Sequence, residues 1–316
     1  MNELENQLLQ YLTEKRGFSN VSLSRLGGKS SNHLNFLLQT EGKKYVCRVS
    51  DPTGFNAENL TSITDEYTIL KLVEPFGVGP AVHSVDPEGF SVPVLIEEFL
   101  EGEALKIVTF EKLSAVLRLM KKVENISLTE DQFPFRYSYR SYAASIHGWN
   151  RRLEDAKKLL PENDFWDTTL AAFKEVIHKA SLVLAEHESS LEAQEPVFIY
   201  NDIHGENIIW SDTKEEPIFI DWQKVSRGDP AFMPAVFALA FESDGEFSRE
   251  KLFSWVIKEY GTDQRLFHLR ILEREVANML WVVWAALKQK KEVPFKQVEE
   301  YDRYVRTREL VNNFSA

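Results

Sequence analysis

Cysteine is nearly absent from this chain, which has one thiol, Cys47, among 316 residues. A single cysteine cannot form an intrachain disulfide, so the disulfide-stabilised secreted class is excluded and a reducing compartment is favoured. Long apolar runs are also missing, since the longest, residues 231–241, contains Pro234 and is too short to cross a bilayer. The N-terminal residues MNELENQLLQ lack a signal-peptide pattern. These features predict a cytoplasmic protein with no membrane association.

An excess of basic residues is missing as well. Lys and Arg number 37 against 49 Asp and Glu, which gives a net charge of −12 and argues against nucleic-acid binding. The acidic balance is compatible with a cationic small substrate, although it also serves solubility. No repeat or low-complexity tract is present, and no protein partner is implied. A chain of this length, with 43% hydrophobic and 27% charged residues, predicts an ordinary globular protein of about two domains.

Residues 197–223 carry the strongest chemical signal. Two apolar runs, residues 197–200 and 218–220, each lead into an aspartate, and residues 207–210 between them predict a third short strand. Asp202, Asn207 and Asp221 are then expected at the ends of neighbouring strands or on the loops beside them. Carboxylate and amide oxygens suit Mg²⁺, and a further carboxylate can orient a hydroxyl, which is the arrangement that phosphoryl transfer uses. A hairpin with turn-favouring Asp and Asn is the alternative interpretation.

The spacing Asp202-x4-Asn207, followed by Asp221 after an apolar strand, resembles the catalytic and metal loops of the aminoglycoside phosphotransferase and choline kinase family. That family is a small-molecule branch of the kinase fold. The resemblance implies that Asp202 is the catalytic base and that Asn207 and Asp221 bind Mg²⁺. His204 falls where the family often has His or Gln and is a predicted substrate contact.

Two positions depart from the family pattern. Tyr200 stands where the family usually has His two residues before the base, which predicts altered packing around the loop rather than lost chemistry. Met233 stands where the family usually has Asp before an apolar helix, so the contact of that Asp is in doubt. Asp229 is expected to cap a turn and not to act in catalysis.

The N-terminal third predicts a sheet with a glycine-rich turn. Strands are expected over residues 21–26, 34–39 and 44–49, and a helix over residues 3–16. Backbone amides of a glycine-rich turn can approach phosphate, although the same residues also fit a plain turn. The Walker A spacing is missing. The predicted nucleotide contacts in this turn are Gly27, Gly28, Ser30, Ser31 and Asn32.

Arg48 lies on the strand where kinases keep a phosphate-binding lysine, and choline kinase-like proteins often have arginine there. An inward arginine needs a carboxylate partner, and the family resemblance suggests Glu66 on a helix over residues 64–72. An exposed arginine at a strand edge is the alternative. Residues 98–102 resemble the hinge between kinase lobes, where backbone groups near Glu98 and Leu100 would meet adenine.

The C-terminal part predicts helices, among them one long helix over residues 268–290. It carries Trp281 and Trp284 on one face, and Tyr301 follows in another predicted helix. This order resembles the C-terminal helices of choline and ethanolamine kinases, where such rings surround an ammonium group by cation–π attraction. Two tryptophans on a helix are equally typical of a core. Lys224 argues against the cationic acceptor, because the choline enzymes carry an aromatic residue there.

Taken together, the sequence predicts an α+β, two-lobed, protein-kinase-like fold. Its domains are residues 1–98, a small antiparallel-sheet nucleotide-binding lobe, then a hinge at 99–102, and residues 103–316, a mainly helical lobe. The predicted function is ATP- and Mg²⁺-dependent transfer of the γ-phosphate to a hydroxyl of a small molecule, with an amino alcohol as the first expectation. Aminoglycosides, other antibiotics or sugars are the alternative acceptors. A catalytically inactive nucleotide-binding protein is the alternative of another class.

Overall fold

The computed structural model describes residues 3–27, 33–51, 62–127, 138–139, 141–211, 213–242, 248–289 and 293–315. The chain divides into two compact units. The first contains residues 1–134 and 204–225, and the second contains residues 135–203 and 226–316. The domain bounds expected from the sequence, with a hinge at residues 99–102, stay a prediction.

Helices and strands alternate in the first third of the chain, and helices dominate the rest. Within the described residues the helices are α1 (Glu3–Glu14), α2 (Ser62–Val73), α3 (Phe110–Glu124), α4 (Tyr142–Leu159), α5 (Asp164–Glu186), α6 (Glu188–Glu192), α7 (Phe232–Phe241), α8 (Arg249–Tyr260), α9 (Gln264–Met279), α10 (Trp281–Gln289) and α11 (Asp302–Ser315). The strands are β1 (Ser22–Arg25), β2 (His33–Thr40), β3 (Lys43–Ser50), β4 (Val82–Asp86), β5 (Val94–Glu98), β6 (Gly102–Ala104), β7 (Ser138–Tyr139), β8 (Val197–Tyr200), β9 (Ile208–Ser211), β10 (Glu216–Phe219) and β11 (Val225–Gly228).

The first unit is built on a five-stranded antiparallel sheet in the order β1-β2-β3-β5-β4. Glu41 and Gly42 join β2 to β3, and both have positive φ, the conformation of a two-residue type I′ hairpin turn. Successive side chains of a strand point to opposite faces, so β2, β3 and β5 each place one apolar row on the same face. That face packs against α1 through Leu8, Tyr11 and Leu12, which are buried. The opposite face carries polar residues, Arg48 among them.

A second sheet of the first unit has the order β10-β9-β6 and is antiparallel. Gly102 opens β6 with φ +149°, and a Cβ atom at this position would lie 2.1 Å from the carbonyl oxygen of Trp210 on β9. No side chain fits at this distance, so the close approach of β6 to β9 requires glycine.

Gly102→Ala is therefore expected to lower the free energy of unfolding by about 1–3 kcal/mol, the cost of backbone strain and displaced neighbours. Gly148 on α4 is the matched control, because a Cβ atom there meets nothing within 4 Å. Gly148→Ala should raise stability by roughly 0.5–1 kcal/mol, since alanine is the better helix former. Thermal and urea unfolding of both variants measure the difference. Equal stability of the two variants would contradict the strain argument.

The second unit is mainly helical. Its core is formed by α4, α5, α9 and α11, with α7 packed on α9. Side chains of Ser141, Asn163, Ser248 and Asp263 cap the N-termini of α4, α5, α8 and α9 by accepting backbone N–H bonds. Helix α7 is apolar on all sides and buried, as expected for an interior helix. A small sheet in the order β7-β11-β8 completes this unit.

Two predictions of secondary structure need correction. The single helix expected over residues 268–290 is two helices that meet at Leu280. The Tyr301 hydroxyl lies 3.4 and 3.3 Å from the carbonyl oxygens of Asn278 and Met279, so a side chain bonds the last carbonyls of α9 and the helix ends there. The three short strands expected as neighbours also belong to two sheets, because β8 pairs with β11 while β9 pairs with β10.

Among the described parts of the chain, no helix is both long enough and apolar enough to cross a bilayer.

Candidate active site

Arg48 is the centre of a buried charge cluster in the first unit. It lies on β3 opposite Asn35 of β2 and Leu95 of β5, on the face away from α1. Its Nη1 atom lies 3.1 Å from Oε1 of Glu66, and its Nη2 atom lies 3.0 Å from Oδ1 of Asp221. The guanidinium is only 4% exposed, so these pairs form away from bulk solvent, where Coulomb attraction is stronger. The alternative of an exposed edge arginine is wrong.

Glu66 on α2 joins three parts of the first unit. Its Oε1 atom pairs with Arg48 and also accepts the backbone N–H of Trp222 at 2.9 Å. The Trp222 ring is fully buried, and its Nε1–H donates to the carbonyl oxygen of Phe219 at 2.9 Å. Helix α2 is thereby bonded both to β3 and to the residue that follows Asp221. The pairing of Arg48 with Glu66 agrees with the prediction.

Asp221 follows β10 with φ +62°, a left-handed conformation that few residues other than glycine adopt. Its Oδ1 atom accepts hydrogen bonds from Arg48 Nη2 at 3.0 Å and from Gln223 Nε2 at 2.8 Å. Burial alone would raise the pKa of Asp221, but the charge and hydrogen bond of Arg48 lower it below its ordinary value. The carboxylate is therefore ionised at neutral pH, as a metal ligand must be.

Asn207 lies beside Asp221 in the same unit. It ends a short 3₁₀ helix, Gly205–Asn207, and its carbonyl oxygen accepts the backbone N–H of Ile220 at 3.0 Å. The strand predicted to begin at residue 207 begins one residue later, at Ile208. The backbone bond holds Asn207 next to the residue before Asp221, so the two predicted metal ligands belong to one local structure.

These donors fit magnesium. Within the described residues, no cluster of three or more His, Cys, Asp or Glu side chains forms a closed metal site. Mg²⁺ bound together with phosphate needs only one or two protein carboxylates, and water and phosphate complete its shell. The contacts of Asp221 described above all use Oδ1. The Asp221 carboxylate and the Asn207 amide are therefore enough protein ligands for such a metal ion.

Glu97 and His33 complete the cluster and were not predicted. Glu97 on β5 lies 3.8 Å from Arg48 Nη1, and its Oε2 atom is buried without a hydrogen-bond partner in the described structure. His33 on β2 lies 3.2 Å from Gln223 Oε1. Burial and the charge of Arg48 lower the pKa of His33 to about 4, so this ring is neutral at pH 7. The position of Glu97, the first of two glutamates that directly follow the apolar run 92–96, was the available signal.

Burial raises the pKa of two glutamates in this cluster, to about 7 for Glu97 and to about 8 for Glu66, and the charge of Arg48 offsets this only in part. We assign the retained proton to Glu97, because Glu66 accepts two hydrogen bonds, from Arg48 and from the Trp222 N–H, that stabilise its carboxylate. With both glutamates and Asp221 ionised, one guanidinium would face three carboxylates, which is why one proton is retained.

Stability should therefore fall as the pH rises through about 7. A carboxyl with a raised folded-state pKa stabilises the fold fully below its ordinary pKa of 4.5 and loses that contribution between this value and about 7. Glu97→Gln mimics the protonated form, so it should flatten this slope and raise the free energy of unfolding at pH 8 by on the order of 1–3 kcal/mol. Urea unfolding between pH 5 and 8 measures this pH dependence of the free energy of unfolding. Glu103→Gln is the control, because Glu103 is exposed. Parallel slopes of wild type and Glu97→Gln would refute this assignment.

The remaining predicted nucleotide contacts are only partly described. Gly27 has φ +71° and precedes a gap, and Gly28, Ser30, Ser31 and Asn32 lie outside the described residues. The Glu98 backbone N–H donates to the carbonyl oxygen of Ala81 at 2.8 Å, and its side chain accepts the Ala81 N–H at 3.1 Å. The Glu98 N–H is therefore already bonded within the protein and is not available to a ligand. Leu100 is half-buried just after β5.

Asp202 belongs to the second unit and is half-buried two residues after β8. The side chain of the preceding residue, Asn201, accepts a hydrogen bond from Ser226 at 2.9 Å, which connects this segment to β11. Tyr200 is fully buried, consistent with a packing role. His204 is half-buried at the start of the 3₁₀ helix and belongs to the first unit. The catalytic role of Asp202 stays a prediction.

Asp229 caps a turn as predicted, and it also makes a buried ion pair. Its Oδ1 atom accepts the Ala231 N–H at 3.0 Å, and its Oδ2 atom lies 2.8 and 2.6 Å from Nε and Nη2 of Arg270. Arg270 also donates to Glu273 at 2.5 Å. Met233, at the departure from the family pattern, is buried in α7. This cluster links the segment after β11 to α9.

The predicted acceptor rings lie in the second unit with different exposure. Trp281 and Trp284 have ring centroids 4.3 Å apart, which confirms that they share a face, and Trp281 is 52% exposed. Tyr301 lies between a short 3₁₀ helix and α11, not within a helix as expected. Its ring stacks on Phe295 at 4.9 Å and lies 6.3 Å from Phe173. Tyr301 is thus committed to the aromatic core, where ring stacking holds it.

Known structures resemble this one over almost its whole length. A choline kinase from Streptococcus pneumoniae has 17% identity and a TM-score of 0.69, and the match covers 99% of this chain and 100% of that one. An ethanolamine kinase from Plasmodium vivax has 16% identity and a TM-score of 0.65, with 98% and 88% covered. An aminoglycoside phosphotransferase has 15% identity and a TM-score of 0.64, with 98% and 97% covered. The fold is therefore the kinase-like fold.

The family follows from the sequence itself. The model of the phosphotransferase enzyme family matches residues 22–290, well over half of the chain. The chain belongs to this family. No curated protein matches the sequence.

Proposed function

We propose that this protein transfers the γ-phosphate of ATP, bound with Mg²⁺, to a hydroxyl group of a small molecule. Asp202 orients the hydroxyl and accepts its proton. Asn207 and Asp221 would hold the metal, which would supply positive charge to the phosphate oxygens. Arg48 and the glycine-rich turn bind the phosphates. Backbone groups near Glu98 and Leu100 meet the base.

The observation that carries this proposal is the bonding of Arg48 to both Glu66 and Asp221. Kinase catalysis needs a phosphate-binding cation, a helix glutamate that pairs with it and a metal-binding aspartate, all in place at the same time. Here the cation is Arg48, and its guanidinium is bonded to both of the other groups. Arginine has five N–H donors, and these two pairs use only part of them. A guanidinium with donors remaining suits phosphate oxygens. Solved relatives were crystallised with AMP or with AMP-PNP, which supports a nucleotide ligand.

The amino-alcohol acceptor predicted from Trp281, Trp284 and Tyr301 has weaker support. The stacking of Tyr301 on Phe295 occupies one face of its ring, so this residue offers less surface to an ammonium group than the prediction requires. Aminoglycosides, other antibiotics and sugars stay as alternative acceptors, and hygromycin B is bound in the complex of one relative. The acceptor carries a hydroxyl in every case.

The proposed reaction is tested by ADP release in a coupled assay, with amino alcohols, aminoglycosides, macrolides and sugars as acceptors. Acceptor-dependent ADP release that requires Mg²⁺ supports the proposal. The second candidate, a catalytically inactive nucleotide-binding protein, is favoured by the family departures at Tyr200 and Met233. It predicts stabilisation by Mg·ATP in thermal unfolding with no ADP release for any acceptor, and that result would reject phosphotransfer.

A further inference from the structure

We propose that a cavity in the second unit, beside Trp284, binds an anionic group of the phosphate acceptor. This inference rests on the proposed function, because it names the substrate class of the same enzyme. The cavity has a volume of about 520 Å³ and lies between α4 and α9, with α10 at one side. We call it the α4–α9 cavity. The lining residues that matter here are Arg151, Arg152, Arg274, Glu273, Ser145 and Trp284.

Three arginines line this cavity without a carboxylate partner. Arg151 and Arg152 lie on α4, Arg274 lies on α9, and among the residues that the structure describes none of the three has a carboxylate oxygen within 4.0 Å. Three other arginines of the same unit are paired with carboxylates. Those pairs are Arg249 with Glu242 and Glu275, Arg306 with Glu242, and Arg270 with Asp229 and Glu273. The three cavity arginines differ from these pairs, because they line one cavity together and each can offer its N–H donors to a ligand.

The one buried carboxylate of the cavity wall is already committed. Oε2 of Glu273 accepts a hydrogen bond from Arg270 at 2.5 Å, and its Oε1 atom accepts the Ser145 hydroxyl. Asp155 also lines the cavity but is exposed on α4. Neither carboxylate neutralises the arginines, so the cavity presents positive charge.

The arginines are close enough to repel one another. Burial lowers the pKa of Arg152, and the charges of Arg151 and Arg274 lower it further. Arg152 and Arg274 are half-buried and Arg151 is exposed, and like charges near one another in a partly buried place cost free energy unless an opposite charge lies between them. A carboxylate or a phosphate would relieve this repulsion, and the planar guanidinium binds either of them through paired N–H donors.

The rest of the cavity suits the carbon skeleton of a small molecule. Trp284, Trp149 and Leu287 supply apolar surface to the wall. A chain of contacts connects this wall with the segment of Asp202. Glu273 pairs with Arg270, and Arg270 pairs with Asp229, which follows β11. Near the start of β11, Ser226 donates to Asn201, the residue before Asp202. The acceptor class is thus a small hydroxyl compound that carries a carboxylate or a phosphate, and a purely cationic amino alcohol is disfavoured here.

Matched acceptor pairs test this inference in the ADP-release assay. Serine is ethanolamine with an added carboxylate, glycerate has a carboxylate in place of one hydroxymethyl group of glycerol, and glucose 6-phosphate has a phosphate on one hydroxyl of glucose. The member of each pair that carries the carboxylate or phosphate should be the better acceptor. Arg152→Gln and Arg274→Gln should each raise its KM about tenfold or more and leave the KM of ATP unchanged. Arg152→Lys should keep part of the affinity, because it keeps the charge.

Lys157→Gln is the matched control, since it removes one positive charge from an exposed position of α4 outside the cavity. Binding is measured separately, by calorimetric titration of inorganic phosphate into the protein with and without ADP. The site is supported if Arg152→Gln and Arg274→Gln weaken phosphate binding and Lys157→Gln does not. This holds even if no acceptor is turned over, in which case only the proposed phosphotransfer is rejected. Preference for the member of each pair that lacks the carboxylate or phosphate, or arginine variants that behave like Lys157→Gln, overturns the anionic site while phosphotransfer stands.

Discussion

Asp202→Asn is expected to reduce kcat by a factor of about 10²–10⁴, the usual contribution of a positioned general base. An amide has nearly the shape of the carboxylate but cannot accept the proton of the acceptor hydroxyl. The nucleotide contacts proposed here are made by other residues, and a group that acts only in the transition state does not alter ground-state binding. The affinity of the variant for Mg·ATP should therefore stay within a factor of about two of the wild-type value.

The measurement is steady-state ADP release with the best acceptor of the screen, together with ATP affinity from calorimetry. Asp167→Asn provides the matched control, because Asp167 is an exposed aspartate of α5 in the same unit. Its turnover should equal that of the wild type. If Asp202→Asn keeps near-wild-type turnover, Asp202 is not the base, and the structural role of a loop aspartate is the better interpretation.

Asp221→Asn is expected to remove the metal dependence of nucleotide binding. The substitution deletes the only carboxylate of the proposed metal pair, while an amide oxygen can still accept the hydrogen bond of Arg48. Metal coordination at the phosphates is worth several kcal/mol in the transition state, so kcat should fall by on the order of 10³. In the wild type Mg²⁺ should strengthen ATP binding, and in the variant it should not.

Calorimetric titration of ATP with and without Mg²⁺ measures this effect, and thermal unfolding reports whether the Arg48 cluster still stabilises the fold. Asp202→Asn serves as the reciprocal control, since it should lose turnover and keep the metal dependence. An Asp221→Asn protein with an unchanged response to Mg²⁺ would assign Asp221 to Arg48 alone, as a structural ion pair.

The family and the α+β kinase-like fold could be predicted from the sequence because both rest on local signals. Alternating apolar residues predicted β2 and β3, and helical spacing predicted α1, α3, α4 and α5 with bounds close to those observed. The motif around Asp202, Asn207 and Asp221 indicated phosphotransfer, and the family match agrees. These features depend on residues that are near one another in the chain.

Strand partners and helix ends depended on distant residues. Apolar runs predicted β8, β9 and β10 but could not show that β8 pairs with β11, since pairing is decided by which edges meet in the fold. The break between α9 and α10 coincides with the Tyr301 hydroxyl, more than twenty residues away in sequence. The pattern of residues 268–290 cannot indicate a hydrogen bond from Tyr301, which lies outside that range.

The sequence by itself determined which chemical groups this protein has: a guanidinium on a strand, a helix glutamate, and two aspartates and an asparagine near strand ends. Tertiary structure alone decided their electrostatic state. The pKa of Glu97 is raised because β5 lies beside β3 and buries it near Arg48, and the pKa of Asp221 is lowered because Arg48 donates to it. Arg151, Arg152 and Arg274 line one cavity only because α4 packs near α9. Charge interactions depend on distance and burial, and both are set by packing between segments far apart in the chain.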